Sequence, residues 1–521
     1  MCHTLIIIVS SDRLSIIAQF SPYPLFCPKF LESSAGFSLC VLIEHFVVVG
    51  MAMEAQTGTH VAILPSPGMG HLIPLVAFSK RLVATHSFSI TFINLITDSS
   101  AAQSSVLSTL NDVGLSSLQS VDLPPADLSD LPISAKIETR ISLTVRRSLS
   151  SLRTLLCDLT SKFPNTVMVA DIFGTDAFDV ADELSLPKYL FFPANATALC
   201  LMSQLPALDA QVSGEFRDLP ELRLPGCSSP FPGKDLLAPL QDRKDAAYSW
   251  LLHQAKRYRQ ADGIFVNTFE GLESQALQFL KENRASFPEV FPVGPLTLEL
   301  PENDSECLRW LDEQPPGSVL FVSFGSGGTL SCGQYQNLAH GLEKSGQRFL
   351  WVIRTPEVTE GPAAFFTVES KGDPKAYLPQ GFLERTKGVG MVVPSWAPQT
   401  RVLAHAATGG FLTHCGWNST LESFQNGIPL IAWPLYAEQK MNAILLVDEI
   451  KVAIRPKMQE DGIIKVEEID RVVRGLMEGE EGKALRAKMR DLRDAASTAV
   501  AEGGSSYHSV VNATQIWRST V

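Results

Sequence analysis

The sequence predicts an α/β protein of two doubly wound, Rossmann-like domains that face each other across a cleft. From His60 onward, short apolar runs alternate with amphipathic stretches, a pattern typical of buried parallel strands followed by helices. A second series of the same kind begins near Ser305, after a connection from Phe291 to Glu306 that carries Pro and Gly. Two strand–helix series predict two open sheets, each of which binds ligands at the carboxyl ends of its strands.

The individual elements follow from these runs. The predicted strands of the first series are HVAILP (60–65), SITFIN (89–94), TVMVAD (166–171), KYLFFP (188–193) and GIFVN (263–267). The predicted strands of the second are SVLFVSFG (318–325), RFLWVIR (348–354), GMVVPSW (390–396), GGFLTHCG (409–416) and PLIAWPL (429–435). Helical periodicity marks the stretches at 71–86, 131–156 and 332–346, and the polar insert at 355–377 is expected to be a mobile surface loop.

Composition excludes several classes of protein. A net charge of −12 and a pI near 5.4 argue against a nucleic-acid partner, which usually requires a basic face. The nine cysteines are scattered, odd in number and never spaced as Cys-x-x-Cys. They indicate reduced thiols in a cytoplasmic protein rather than a disulfide framework.

The first 52 residues do not fit this pattern. Their first apolar run is short and lacks a preceding basic region, and their second is interrupted by Glu44 and His45. A spanning helix needs about 20 apolar residues and a signal peptide needs a basic start, so stable membrane insertion is not expected. We expect a non-native or disordered extension, with Met51 or Met53 as the true start; a membrane anchor is the alternative.

The segment from Trp396 to Gln439 carries the strongest functional signal. The run GGFLTH is predicted as a strand that ends at His414 and leads into a helix opening at Asn418 or Ser419, whose free N–H groups would bind an anion. One turn into this helix, a carboxylate is placed to accept from ribose hydroxyls, and the indole of Trp396 offers a stacking face for a base. This order of groups indicates a nucleotide-sugar site.

Catalytic chemistry is expected where the first strand ends. The turn after HVAILP passes through Gly68 and Gly70 and brings His71 to the start of a helix. A histidine there can act as a general base, provided that a carboxylate fixes its tautomer. Asp171 ends the strand TVMVAD at the same rim of the sheet and is the predicted partner. Asp171 as the cap of the following helix is the competing interpretation.

These residues resemble the donor-binding signature of plant family-1 UDP-glycosyltransferases. The resemblance extends over most of residues 55–520 through LPSPGMGHLIPL, DIFGTDAFDVADEL, SVLFVSFGSGGTLS and YAEQKMNA, and is closest to the arbutin synthase-like phenol and hydroquinone glucosyltransferases. It implies a GT-B fold, with an acceptor-binding domain at 53–295, a UDP-sugar-binding domain at 296–500, and a C-terminal helix at 501–521 that returns to the N-terminal domain.

The resemblance also implies the reaction and its residues. Glucose would pass from UDP-glucose, a co-substrate, to a phenolic hydroxyl with inversion, and His71 and Asp171 would form the catalytic dyad. The implied donor-binding residues are Ser326, Trp396, Ala397, Gln399, His414, Trp417, Asn418, Ser419, Glu422, Tyr436, Glu438 and Gln439. No cofactor and no metal are expected, since the sequence has no Asp-x-Asp, and a monomer is expected.

On the acceptor side, the expected residues are Glu138, Ile172 and Phe173, whereas Phe191 and Phe192 face either the pocket or the core of the sheet. An apolar pocket discriminates weakly among flat phenols, so the natural acceptor stays open. The alternatives are another donor sugar, a non-phenolic acceptor including N-glucosylation of anilines, and a protein that binds UDP-sugar without catalysis.

Overall fold

The computed structural model describes residues 5–10, 13–18, 58–86, 88–96, 101–111, 117–299, 305–356 and 372–519. The chain divides into two units, Met1–Gln56 and Thr57–Val521. In the first unit, strands β1 (Leu5–Ser10) and β2 (Arg13–Ala18) pair antiparallel. The rest of the predicted extension at 1–52 and most of the predicted loop at 355–377 lie outside the described residues. No helix in the described part of the chain is long and apolar enough to cross a membrane.

The N-terminal half of the second unit is built on a seven-stranded parallel sheet. Its strands are β3 (His60–Leu64), β4 (Ser89–Leu95), β5 (Leu118–Leu123), β6 (Thr166–Asp171), β7 (Lys188–Phe192), β8 (Gly263–Val266) and β9 (Glu289–Pro292), in the spatial order β5-β4-β3-β6-β7-β8-β9. The five predicted strands are present. The sequence did not predict the two edge strands, β5 and β9. Half of the residues of β5 are polar, and β9 is only four residues long and ends in proline.

Helices cover both faces of this sheet. They are α1 (Met69–His86), α2 (Ala101–Asn111), α3 (Ile137–Arg147), α4 (Leu149–Lys162), α5 (Ala177–Glu183), α6 (Ala196–Gln211), α7 (Ala246–Arg257) and α8 (Glu270–Glu282). The helical stretch predicted at 131–156 is divided between α3 and α4 at Ser148, whose N–H bonds to carbonyls of the preceding turn. Two buried apolar clusters, one on each face, form the core of this half.

The C-terminal half has the same architecture and is built on a six-stranded parallel sheet. Its strands are β10 (Val319–Ser323), β11 (Arg348–Ile353), β12 (Gly390–Pro394), β13 (Thr408–Thr413), β14 (Leu430–Ala432) and β15 (Ala453–Ile454), in the order β12-β11-β10-β13-β14-β15. Its helices are α9 (Glu306–Asp312), α10 (Cys332–Ser345), α11 (Phe382–Arg385), α12 (Gln399–Ala404), α13 (Trp417–Asn426), α14 (Gln439–Ile444), α15 (Val466–Met477) and α16 (Glu480–Val500).

The last helix, α17 (Ser505–Ser519), packs on the N-terminal half rather than on the sheet that precedes it. Trp517 lies in the core cluster of that half, with its ring 5.3 Å from Tyr189 and 5.5 Å from Phe88 between centroids. The Ser506 hydroxyl donates to the carbonyl of Gly294 at 2.5 Å.

Both sheets reverse their strand order at one point, between β3 and β6 in the first and between β10 and β13 in the second. Open α/β sheets bind ligands at this switch point, outside the carboxyl ends of the strands. Two doubly wound sheets thus confirm the predicted fold class, and their two switch points mark where a site is expected.

Candidate active site

One cavity of about 310 Å³ is lined by residues from the carboxyl ends of both sheets. On the N-terminal side it includes His71 and the residues after β6; on the C-terminal side it includes the turns after β10, β12 and β13. Every residue predicted for donor or acceptor binding lines this cavity, and so does His71, whereas the buried Asp171 contacts His71 without lining the cavity.

His71 and Asp171 are in direct contact. The Nδ1 atom of His71 lies 3.0 Å and 3.1 Å from the two carboxylate oxygens of Asp171. The Asp171 side chain is fully buried, whereas that of His71 is 19% exposed and reaches the cavity. Burial alone lowers the pKa of His71, but the Asp171 carboxylate, with a smaller contribution from Glu438, outweighs it and raises the pKa above its usual value.

The geometry around this pair follows from the local backbone. Gly68, at φ +117°, accepts from the N–H of His71 at 3.1 Å and so begins α1. Asp171 is the last residue of β6, and the next helix begins at Ala177 after Asp176. Asp171 therefore faces the histidine and does not cap that helix.

On the opposite wall, two glycines enclose the ring of His414. A Cβ at either Gly325 or Gly416 would lie 2.4 Å from the Nε2 atom of His414. Burial, together with the nearby cation of Arg354, lowers the pKa of His414 to about 4, so the imidazole is neutral at pH 7. Its Nδ1 atom is buried without a hydrogen-bond partner among the described residues.

Helix α13 begins one or two residues earlier than the sequence predicted. The prediction that Asn418 or Ser419 opens the helix is wrong: the helix starts at Trp417, and Gly416 in an extended conformation takes the N-cap position without a side-chain cap. The first N–H groups of the helix therefore remain available for an anion. Instead of capping, Asn418 donates from Nδ2 to the carbonyl of Gly70 in the N-terminal half at 3.1 Å.

A polar cluster follows one turn into α13. Gln399, from α12, donates from Nε2 to the Ser419 hydroxyl at 2.7 Å and to the Glu422 carboxylate at 2.6 Å. Burial raises the pKa of Glu422 to about 7, although the bond from Gln399 opposes this shift. Trp396, 37% exposed, and Ala397 lie beside this cluster in the cavity wall.

The turn after β14 contributes the remaining polar groups. Gln439 accepts at Oε1 from the backbone N–H groups of Leu435 and Tyr436, at 2.9 Å and 3.0 Å. Glu438 accepts at Oε1 from Asn442 Nδ2 at 3.1 Å, and burial raises the pKa of its carboxyl group. The indole of Trp417 donates to the carbonyl of Asn267 in the N-terminal half at 2.6 Å.

Three residues other than glycine adopt left-handed backbone conformations in this wall. Ser395, Cys415 and Ala437 have φ values of 65°, 63° and 53°. Each lies in a turn at the carboxyl end of a strand and comes one or two residues before Trp396, Trp417 or Glu438. Such conformations cost about 1–3 kcal/mol and concentrate at functional sites.

The other end of the cavity is mainly apolar. Ile172 and Phe173 line it, and the Phe173 ring meets the His71 ring edge-on at 5.5 Å. Glu138 is the exception, and burial raises the pKa of its carboxyl group. Phe191 and Phe192 lie instead in the two core clusters of the sheet.

Sequence reasoning missed several residues of the site. The apolar ones are Met69, Ile73, Ile137, Ile141, Leu237, Pro239 and Leu251. They come from loops and helices whose approach to the cavity no local pattern reveals. Arg354 was also missed, although its position directly after β11 is a usable signal; its guanidinium donates to the carbonyl of Ser326.

Comparison with known proteins agrees with this geometry. The family model described as UDP-glucoronosyl and UDP-glucosyl transferase matches residues 298–460. UDP-glycosyltransferase 72B1 of Arabidopsis thaliana is 56% identical over 463 residues, covering 87% of this chain and 95% of that protein. Hydroquinone glucosyltransferase of Rauvolfia serpentina is 53% identical over 468 residues, covering 89% of this chain and 98% of that protein.

Solved structures are similar over the same span. A UDP-glucosyltransferase from Polygonum tinctorium, capable of glucosylating indoxyl and complexed with 3,4-dichloroaniline, has a TM-score of 0.81 and 48% identity, covering 88% of this chain and 99% of that one. UGT2 of Phytolacca americana, complexed with UDP-2-fluoro-glucose and pterostilbene, has the same TM-score and identity and covers 88% and 100%. The chain therefore belongs to the plant family-1 UDP-glycosyltransferases and is a UDP-glucose-dependent enzyme of the GT-B fold, close to the hydroquinone glucosyltransferases.

Proposed function

We propose that this enzyme transfers glucose from UDP-glucose to the hydroxyl of a small phenolic acceptor, with inversion, to give a β-D-glucoside. The observation that carries the proposal is the His71–Asp171 pair, which opens on the same cavity as the glycine turn and the free N-terminus of α13. A base on one wall and an anion site on the other are what direct displacement at a sugar carbon requires.

The donor is assigned to the C-terminal wall. The uracil ring stacks on Trp396 beside Ala397, and the ribose hydroxyls bind Glu422, which Gln399 orients. The diphosphate meets Ser326, His414 and the N-terminus of α13 at Asn418 and Ser419. Glucose then lies among Trp417, Tyr436, Glu438 and Gln439. The half at 296–500 is thus the donor domain and that at 53–295 the acceptor domain.

The chemical step needs one base. Asp171 holds the proton of His71 on Nδ1, which leaves the lone pair of Nε2 for the acceptor. Nε2 takes the phenolic proton while the oxygen attacks the anomeric carbon opposite the leaving group. The bond from that carbon to the diphosphate oxygen breaks, and UDP leaves with the electron pair. The neutral donors around the diphosphate stabilise the developing charge.

A phenolic acceptor is supported by the apolar end of the cavity. Ile172 and Phe173 form a flat apolar surface next to His71, and Glu138 supplies the single carboxylate there. The relatives point the same way, since one is named for hydroquinone and one solved structure holds pterostilbene. The structure with 3,4-dichloroaniline makes an aniline nitrogen the second acceptor to test.

The experiment incubates the enzyme, begun at Met53, with UDP-glucose and panels of phenols and anilines, with and without chelator. UDP release and product mass are followed for the unchanged enzyme and for His71→Ala. We expect β-O-glucosides from the phenols in both conditions, and a loss of at least 100-fold, the order of a general-base contribution, in the variant. Binding of UDP-glucose without transfer to any phenol would contradict the proposal. Transfer to anilines alone would replace the phenolic acceptor with an amine.

A further inference from the structure

A buried chain of amide hydrogen bonds connects the N-terminal half of the enzyme to Glu438. Asn195, before α6, donates from Nδ2 to the Oδ1 atom of Asn442 in α14 at 2.6 Å. Asn442 in turn donates from Nδ2 to the carbonyl of Cys415 at 2.9 Å and to Oε1 of Glu438 at 3.1 Å. The two asparagines are 2% and 1% exposed, so water does not compete for these bonds.

The direction of every bond in this chain is fixed. The Oδ1 atom of Asn195 accepts from the backbone N–H of Ala198 at 2.7 Å, which caps α6. Since a backbone N–H only donates, the amide group of Asn195 must point its NH₂ toward Asn442. Asn442 must therefore present its oxygen to Asn195 and its NH₂ to two acceptors, Cys415 and Glu438.

The two acceptors lie in turns whose backbone conformation is unfavourable for a residue with a side chain. Cys415 is left-handed at φ 63° and connects β13 to the N-terminus of α13, whereas Glu438 follows the left-handed Ala437. The carbonyl of Ala437 accepts from the N–H of Ala238 in the N-terminal half at 3.0 Å. Two of the three left-handed turns of this wall, those at Cys415 and Ala437, are therefore held by groups that depend on the N-terminal half.

Helix α14 is fixed against that half by packing as well. Met441 and Ile444 are buried in the same core cluster as the strands of the N-terminal sheet. Glu438 and Asn442 are one turn apart, so the packing that fixes Asn442 also fixes the direction of the carboxylate.

We propose that Asn442, held by Asn195 across the two halves, is a positioning residue that aims the Glu438 carboxylate at the donor sugar. This inference rests on the proposed function, in which Glu438 binds glucose. Because the amide pair joins the two halves, the sugar-binding part of the donor site is complete only when α14 packs against the N-terminal half. Base and ribose recognition, which rely on Trp396 and Glu422, do not depend on it.

The test compares two dissociation constants, those of UDP-glucose and UDP, measured by calorimetry without acceptor. Asn195→Asp keeps the oxygen that caps α6 but removes the donor to Asn442. Asn442→Asp places a carboxylate, which cannot donate a hydrogen bond, next to the Cys415 carbonyl and the Glu438 carboxylate. We expect each variant to raise the ratio of Kd for UDP-glucose to Kd for UDP on the order of tenfold, the value of a hydrogen bond to a charged group. A near-normal Kd for UDP shows that the donor domain is folded.

Two further variants separate the outcomes. Lys440→Ala removes another hydrogen bond between the halves, from Nζ to the carbonyl of Lys234 at 3.2 Å, and should leave the ratio unchanged. Glu438→Ala should raise the ratio as much as the asparagine variants do. If Glu438→Ala raises the ratio and the asparagine variants do not, the positioning role is overturned and the proposed function stands. If Glu438→Ala has no effect, the sugar contact assigned to Glu438 fails together with the inference.

Discussion

At the scale of single residues, the proposed reaction depends on how Asp171 changes the chemistry of His71. The carboxylate raises the pKa of the imidazole against the effect of burial and fixes its proton on Nδ1. A raised pKa makes the base stronger but leaves it protonated to a higher pH. We expect kcat/KM to rise with pH through a value above the usual histidine pKa of about 6.5.

Replacing this carboxylate by an amide separates the two effects. Asp171→Asn should lower kcat by a factor on the order of 100 to 10,000, because the tautomer and the imidazolium lose their partner. It should also move the acid limb of the pH–rate profile to lower pH, since only the smaller effect of Glu438 then opposes the effect of burial on the pKa of His71. Steady-state rates from pH 5 to 9 check both. A reduced rate with an unmoved acid limb would mean that the titrating group is not His71.

Glu422 gives a second prediction at this scale. Its pKa is raised to about 7, so a fraction of the free enzyme is protonated there at neutral pH. In the proposed site the Glu422 carboxylate accepts from both ribose hydroxyls, so affinity for UDP-glucose should fall as pH decreases from 8 to 6. Glu422→Gln should bind UDP-glucose more weakly at pH 8 and with little dependence on pH. Titration calorimetry at three pH values measures this, and a slope that persists in the variant would assign the proton elsewhere.

At the scale of elements, the sequence predicted the parts of the site that lie at the carboxyl ends of strands. Asp171 ends an apolar strand, His414 follows one directly and Ser326 lies in the turn after another, so a local pattern suffices to place them. The start of α13 was predicted wrongly because Gly416, which has no side chain, takes the cap position. Glu138 came from the family resemblance, not from a local pattern. The contact between Asn195 and Asn442 was not predicted, since it joins residues 247 positions apart.

The glycine turn after β10 is the element on which the proposed diphosphate site depends. At φ +74° Gly325 approaches His414 so closely that a Cβ would lie 2.4 Å from Nε2. Gly325→Ala should therefore displace the ring and weaken UDP binding by more than tenfold. Gly317 is the matched control, because it is also left-handed, at φ +66°, but has nothing within 4 Å of the added Cβ.

Both alanine variants carry the same backbone strain, about 1–2 kcal/mol for a left-handed residue with a side chain. Both unfolding midpoints should fall, that of Gly325→Ala further because of its added contact with His414, whereas only Gly325→Ala should lose UDP affinity. Equal affinities in the two variants would mean that the turn tolerates the extra atom and that close approach to His414 is not required.

At the scale of the whole molecule, the two switch points can form one site only if the two sheets are held face to face. The chain achieves this partly with contacts around the site, from Asn418 to Gly70 and from Trp417 to Asn267. The chain also crosses back at its end, where α17 adds Trp517 to the core of the half that contains His71. The N-terminal half is therefore completed by residues that follow the C-terminal half in sequence.

This packing predicts that a substitution far from the cavity has a large effect on the free energy of unfolding. Trp517→Ala should lower the free energy of unfolding by about 3–5 kcal/mol, the usual cost of emptying a buried aromatic site. Ile516→Ala, at the neighbouring position that is 45% exposed, is the control and should cost less than about 1 kcal/mol. Denaturant unfolding measures both. Because His71 lies in the half that Trp517 completes, transfer should be lost at lower denaturant than UDP binding, which uses the other half. Simultaneous loss of both activities would show instead that the two halves unfold as one unit.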